Sequence, residues 1–351
     1  MIATAVPGSS KYGNSKNSFV DFSAINIPAT VAADLAEMSS HGLADKTWST
    51  YTTAERMLSK FHRERKKERK LPLSEETTLE FIHWLAIERK LSAGTINSYL
   101  AGVRQLHVAR GLPDPELRSD VVKLVLRGIK NKDNTNKMKQ NNVRQPITKE
   151  VMALLKKRLR VWDAPIADQR LLWAVATNLF HGAFRVGELL GKKKSEFDPV
   201  FDLLTDDIHL SARSIQFRLK MPKEDRKGRS TIVDVYATGS PLCPVRAFAK
   251  WKAMNAHWPA GQPAFRWRNG SPLTASEFGN ILDARLTGFI DNPRDIFCTH
   301  SFRIGVASMM GALGYDDEDI QAVGRWSSRA FEEYLMLPRT KRMAIAKKIK
   351  L

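Results

Sequence analysis

Cysteine is scarce in this sequence: Cys243 and Cys298 are the two in 351 residues. Two thiols build neither a disulfide framework nor a four-cysteine zinc site, which sets aside small secreted scaffolds and cysteine-based metal proteins. Long apolar runs are also missing, since no stretch approaches the ~18 residues that cross a bilayer. The opening MIATAVPGSSKYGNSKNS lacks a charged leader followed by an apolar stretch, so no secretory signal is expected. Negative charge is the third shortage. Against 56 Lys and Arg stand 37 Asp and Glu, a formal net charge of +19. Such a surplus does not set the fold, but it predicts a polyanionic partner or an anionic membrane. With 43% hydrophobic and 26% charged residues the composition is that of a globular protein. The length fits about two domains of roughly 150 residues each. An intracellular nucleic-acid-binding protein is the expectation.

What is present is largely helical. Residues 1–27, rich in Ser, Asn and Gly, read as a flexible arm. Ala32, Leu35 and Met38 then keep helical spacing up to Gly42. Asp45 caps a helix through Tyr51, Met57, Leu58 and Phe61, which ends in the charge run 62–70. Ser74 opens a helix reaching Leu85. Ser92 opens another, with Ile96, Tyr99, Leu100 and Val103 on one face, and a last one holds Val121, Leu124 and Val125. Residues 28–130 thus predict an all-α domain of four or five helices. Residues 131–146, NKDNTNKMKQNNVRQP, are nearly free of apolar side chains and read as a basic linker. Its Lys132, Lys137, Lys139 and Arg144 suit a strap along a phosphate backbone.

The second domain runs from Ile147 to the end, 147–351. Leu172, Val175, Ala176 and Leu179 mark a buried helix. Residues 214–219 and 231–236 are short strands joined by a polar turn containing Gly228. Thr299 is the expected N-cap of a helix through Met310, closed by Gly314. Asp316 opens another helix, closed by Gly324. Ser327 or Ser328 caps a third, which carries Tyr334 and stops at Pro338. The fold class is mainly α with a small antiparallel β-sheet: a helical domain followed by an α+β domain.

Four segments of the second domain carry candidate chemistry. Arg185 and Glu188 follow the apolar helix directly; a simple i, i+3 ion pair is the plain alternative. The hairpin turn Lys220-Met-Pro-Lys223-Glu-Asp-Arg226-Lys227-Gly-Arg229 is strongly basic, suited to a DNA groove or simply solvated. His300 and Arg303 share a face near a helix start, where N–H groups and the helix dipole favour an anion. A single satisfied histidine is the alternative. Last comes Gly324-Arg325-Trp326-Ser-Ser-Arg…Tyr334, whose tyrosine in isolation would pass for a core or surface residue.

The order of these motifs resembles the tyrosine recombinase (phage integrase-like) family. The matching stretches are Phe184-Arg185-Val-Gly-Glu188-Leu, His300-Ser-Phe-Arg303 and Gly324-Arg325-Trp326-Ser…Tyr334. TWSTYTTAERMLSKF at 47–61 and SAGTINSYLAGVRQLH at 92–107 are similar to the family's helical core-binding domain. The likeness spans about 28–340, and the phrasing of the last motif is most similar to recombinases of eukaryotic Crypton and DIRS-type mobile elements.

The resemblance implies a C-shaped clamp around double-stranded DNA and strand exchange by a tetramer on two duplexes through a Holliday junction. It implies a 3′-phosphotyrosine intermediate and no metal, no ATP and no other cofactor. Arg185 and Arg303 would clamp the scissile phosphate, and Tyr334 would be the nucleophile. His300 would be the base or a donor to the phosphate, and Glu188 would orient its neighbours. Lys223 would protonate the leaving 5′-oxygen, with Lys220 and Lys227 as alternatives. The family has His or Trp where this chain has Arg325, so either Arg325 takes that place or Trp326 reaches it. Asn97, Arg104, Gln105 and His107 are candidate DNA contacts in the first domain, and Arg226, Lys227 and Arg229 in the second. The basic tail 338–351 would dock on a neighbouring protomer or lie on its own domain. A type IB topoisomerase-like enzyme and a non-catalytic DNA-binding descendant are the alternative readings.

Overall fold

Two separate apolar cores divide the chain into two units, Met1–Asn141 and Asn142–Leu351. The computed structural model describes residues 27–334, except 41, 43–44, 69, 110–111, 114, 116, 118, 140–143, 192–196, 221–229, 255–258 and 287–296. The arm up to residue 26 and the tail 338–351 therefore lie outside the described residues.

The first unit contains α1 (Ala29–Ser40), α2 (Asp45–Glu64), α3 (Glu75–His83), α4 (Ala93–Ala109) and α5 (Asp120–Lys139). Ser74 caps α3 as its sequence predicts, its hydroxyl accepting from the Thr77 N–H at 3.2 Å. The helix then loosens into a π-type turn, Trp84–Glu88. Phe61, Phe81, Trp84, Ile96 and Val103 are fully buried between α2, α3 and α4. The Trp84 indole N–H donates to Glu64 at 3.0 Å, which satisfies its polar edge inside the core.

The structure corrects the linker assignment. Residues 131–139, read from composition as linker, continue α5 as regular helix. Each added residue of a running helix gains a backbone hydrogen bond without needing an apolar face. Asp133 further ties this polar turn down by accepting from the Ala93 N–H at 2.7 Å.

The second unit runs through α6 (Lys149–Arg160), α7 (Ile166–His181), the short α8 (Val186–Leu189), β1 (Ile208–Leu210), β2 (Ser214–Leu219), β3 (Thr231–Tyr236), α9 (Pro244–Lys252), α10 (Ala275–Leu286), α11 (Ser301–Leu313) and α12 (Asp317–Gly324). A 3₁₀ turn, Arg329–Tyr334, follows. The strands form one antiparallel sheet in the order β1-β2-β3, with Phe217 opposite Ile208 and Val233. Ile215, Phe217 and Leu219 of β2 alternate inward with Val233 and Val235 of β3. β1 has no sequence signature because three residues are too few to show a period. α7 is the central helix, buried on nearly every side from Leu171 to Phe180.

Two helix boundaries differ from expectation. His300, not Thr299, is the N-cap residue of α11. At the end of α12 the left-handed residue is Arg325 (φ 53°), not Gly324. Gly324 is instead required because a Cβ there would overlap the Trp326 ring. Gly314 does close α11 in the left-handed conformation, with φ 89°.

Candidate active site

Arg185 stands at the turn between α7 and α8. Ala183, just before it, adopts φ 46°, an uncommon conformation for a residue with a Cβ. Phe184 is buried and anchors the turn. Glu188 folds back on Arg185, accepting from its backbone N–H at 2.9 Å and from Nη1 at 3.1 Å. The same carboxylate accepts from Nη2 of Arg325 at 2.8 Å. Arg325 also donates to the Gly182 carbonyl at 3.0 Å, and its guanidinium lies 5.1 Å from the Phe184 ring centroid. Glu188 therefore bridges two arginines from segments remote in sequence.

Arg303 comes from the first turn of α11 and is 1% exposed. It donates to the Ala183 carbonyl at 3.1 Å and to the Gly324 carbonyl. Its guanidinium lies 4.4 Å from the Trp326 ring centroid, a cation–π contact. His300 sits beside it at the helix start. Burial pushes the His300 pKa below its ordinary value, and Arg303, Arg144 and Arg185 push it the same way. These effects favour the neutral form of the imidazole. Trp326 packs on Phe331 at 5.7 Å between centroids, which seats the 3₁₀ turn that ends at Tyr334 against α11. The Tyr334 side chain lies outside the described ones.

The structure thus gathers Arg185, Glu188, His300, Arg303, Arg325 and Trp326 in one place. Arg325 occupies the Glu188 side of the cluster and Trp326 covers Arg303. Lys223, Arg226, Lys227 and Arg229 fall in the hairpin turn outside the described residues. Lys220, at its root, is a strut: its ammonium lies 2.8 Å from Asp207 and donates to the Pro199 carbonyl at 2.8 Å. Burial raises the Asp207 pKa, but hydrogen bonds from Lys220, the Leu204 N–H and Arg218 outweigh it and hold it below the ordinary value.

In the first unit, Asn97 is exposed and Arg104 and Gln105 are half-buried along α4, while Lys132 is exposed on α5. The side chains of Lys137 and Lys139 lie outside the described ones. His107 is corrected from a candidate DNA contact to a core residue. It is fully buried, Nε2 accepting from the Leu73 N–H at 3.0 Å and Nδ1 donating to the Val103 carbonyl at 2.8 Å. Sequence reasoning also missed the Gly182 and Ala183 carbonyls that orient Arg303 and Arg325. Backbone acceptors leave no mark in residue type.

The profile of the phage integrase N-terminal SAM-like domain matches residues 33–108. No curated protein sequence matches the chain. Among solved structures the chain is similar to the XerH site-specific recombinase bound to palindromic difH substrate in a post-cleavage complex. That likeness has 12% identity and a TM-score of 0.60, covering 91% of this chain and 84% of that one. It is also similar to a lambda integrase dimer bound to a COC′ core site, with 14% identity and a TM-score of 0.55, over 90% and 82% of the two chains.

The fold is that of the tyrosine recombinases. Coverage of nine-tenths of the chain means that both units take part in the likeness. Within this tyrosine-recombinase fold the cluster sets one carboxylate among three arginines, with a histidine beside them, so its net charge is positive. No described helix is long and apolar enough to cross a membrane.

Proposed function

We infer that the protein is a site-specific DNA recombinase that breaks and rejoins strands through a 3′-phosphotyrosine, without ATP or metal. The observation that carries this reading is the convergence of Arg185, His300, Arg303 and Arg325 beside the turn that ends at Tyr334.

The reaction replaces one phosphodiester by another. The Tyr334 phenolic oxygen attacks phosphorus in line, its proton leaves to a base, and the P–O5′ bond breaks as the 5′-oxygen takes up a proton. Free phenol has a pKa of about 10, so it needs help to ionise at neutral pH. Neutral His300 is the acceptor for that proton or a donor to a phosphate oxygen. Lys223 is the proposed acid at the leaving oxygen. The phosphate gains negative charge in the transition state, and preorganised guanidinium groups stabilise it in place of a metal. Arg303 is fixed by donating to the Ala183, Gly324 and Arg325 carbonyls, and its proposed role is to hold a delocalised positive charge at the scissile phosphate. Arg185 is held at the right angle by Glu188, and Arg325 braces Glu188 from behind, so Arg325 is a positioning residue. Trp326 fixes Arg303 by stacking.

The proposed partner is double-stranded DNA, bound by a homotetramer on two duplexes through a Holliday junction. The Gly-Arg-Trp-Ser-Ser phrasing before Tyr334 supports a mobile-element enzyme of the Crypton/DIRS type, acting in integration or excision. It would work wherever that DNA lies, in the nucleus of a eukaryote.

Covalent trapping tests this. Wild type and Tyr334→Phe are incubated in EDTA with a labelled, randomised library of nicked duplexes and run on denaturing gels. A Tyr334-dependent adduct is expected, with one enriched sequence among the trapped strands. An adduct without sequence enrichment would indicate a topoisomerase instead. No adduct, or one that EDTA prevents, would overturn the mechanism.

A further inference from the structure

Residues 144–148 enter the second unit as a strap that is neither helix nor strand. Ile147 is fully buried, and its N–H donates to the Ser301 carbonyl at 3.0 Å. Its own carbonyl oxygen lies over Gly305, where a Cβ would overlap it. The strap is therefore pinned into a notch on the first turns of α11, the helix that carries His300 and Arg303. Thr148 then caps α6, accepting from the Val151 N–H, which fixes the downstream end. Arg144 lies three residues before the pinned point, close enough for its charge to act on His300.

The other arginines of the cluster are engaged within the protein. Arg303 donates to the Ala183 and Gly324 carbonyls, and Arg325 to Glu188 and the Gly182 carbonyl. Arg185 donates to Glu188. Arg144 is exposed and makes no hydrogen bond or ion pair with the described residues. A cation within electrostatic reach of His300, with no carboxylate partner among the described residues, gains most by meeting an anion.

We propose that Arg144 is a phosphate-binding residue of the catalytic centre, delivered by the pinned strap to the phosphodiester at the His300 end of α11. This rests on the recombinase reading of the same site. It assigns the strap more than a passive run along the DNA backbone: it makes the entry to the second unit part of the anion site.

The test uses the full chain with Arg144→Gln and Arg144→Lys. The first readout is the salt dependence of binding to duplex DNA of random sequence. Loss of one phosphate contact lowers the log–log slope by about 0.9. Arg144→Gln is expected to show that drop and Arg144→Lys to restore the wild-type slope. The second readout is the rate of adduct formation on the trapped nicked duplexes, expected to fall by about 10²-fold in Arg144→Gln, the scale of losing one preorganised donor. An unchanged slope overturns the proposal. A reduced slope with an unchanged adduct rate also overturns it, because the contact then lies away from the cleaved phosphate. If wild type forms no Tyr334-dependent adduct, the recombinase reading fails, and the slope still decides whether Arg144 holds a phosphate.

Discussion

Glu188 accepts from Arg185 in its own turn and from Arg325 at the end of α12, so one carboxylate keeps two guanidinium groups from repelling each other. Removing it leaves both cations facing an unfilled space. Glu188→Ala is expected to cost about 1–3 kcal/mol in urea unfolding, the lower part of that range reflecting the partial exposure of both arginines. Cleavage should fall along with stability. His300 gives a pH signature. Its folded pKa lies below the ordinary value of about 6.5. Between those two values the unfolded chain binds a proton that the folded chain does not. Stability is therefore full above about pH 6.5 and falls as the pH drops through it. In His300→Asn the slope of unfolding free energy against pH between about 5 and 7 should be shallower than in wild type. His181 is also held low, by burial, and contributes to the slope in the same direction. At this scale the sequence was partly legible. His300 and Arg303 share a face because i, i+3 residues of one helix must. His107 has the same spacing to Arg104, yet its ring turns into the core, because α4 presents His107 to Leu73 on the segment before α3.

Elements were legible where a period or a cap announces them. Ser74, Gly314 and the alternation in 214–219 each name a local conformation that the structure adopts. α5 was cut short in the sequence reading because Asn, Lys and Asp carry no apolar period, although a helix already begun does not need one. The notch on α11 was invisible. Gly305 sits in an apolar helix where glycine costs helix propensity, and only the Ile147 carbonyl against it explains the residue. Gly305→Ala must push a backbone oxygen rather than a flexible side chain. It is expected to cost at least about 2 kcal/mol, confined to unfolding of the second unit. Thermal unfolding followed separately for each unit's tryptophans checks this.

Across the whole molecule, the charge of +19 is a statement about partners rather than shape. If duplex DNA is the partner, affinity should fall by about 10³-fold or more between about 50 and 200 mM salt, as expected for six or more neutralised phosphates. A nearly flat salt response in a filter-binding or anisotropy titration would remove DNA from consideration. The chain divides between Asn141 and Asn142, and the two separate cores account for that division physically.

By itself the sequence determined what is local or additive: helix periods, caps, strand alternation, net charge, and the order of Arg185, His300, Arg303 and Tyr334 along the chain. Only the tertiary structure decided which groups meet. It placed Arg325 on Glu188, laid Trp326 over Arg303, made Lys220 a strut for Asp207, turned His107 inward and brought Arg144 within electrostatic reach of His300. The physical reason is the same in each case. Periodicity says which face of an element is apolar and which is polar, but the partner of a side chain is set by packing between segments distant in sequence. The αL turns at Ala183 and Arg325 that aim these groups are conformations their residue types do not announce.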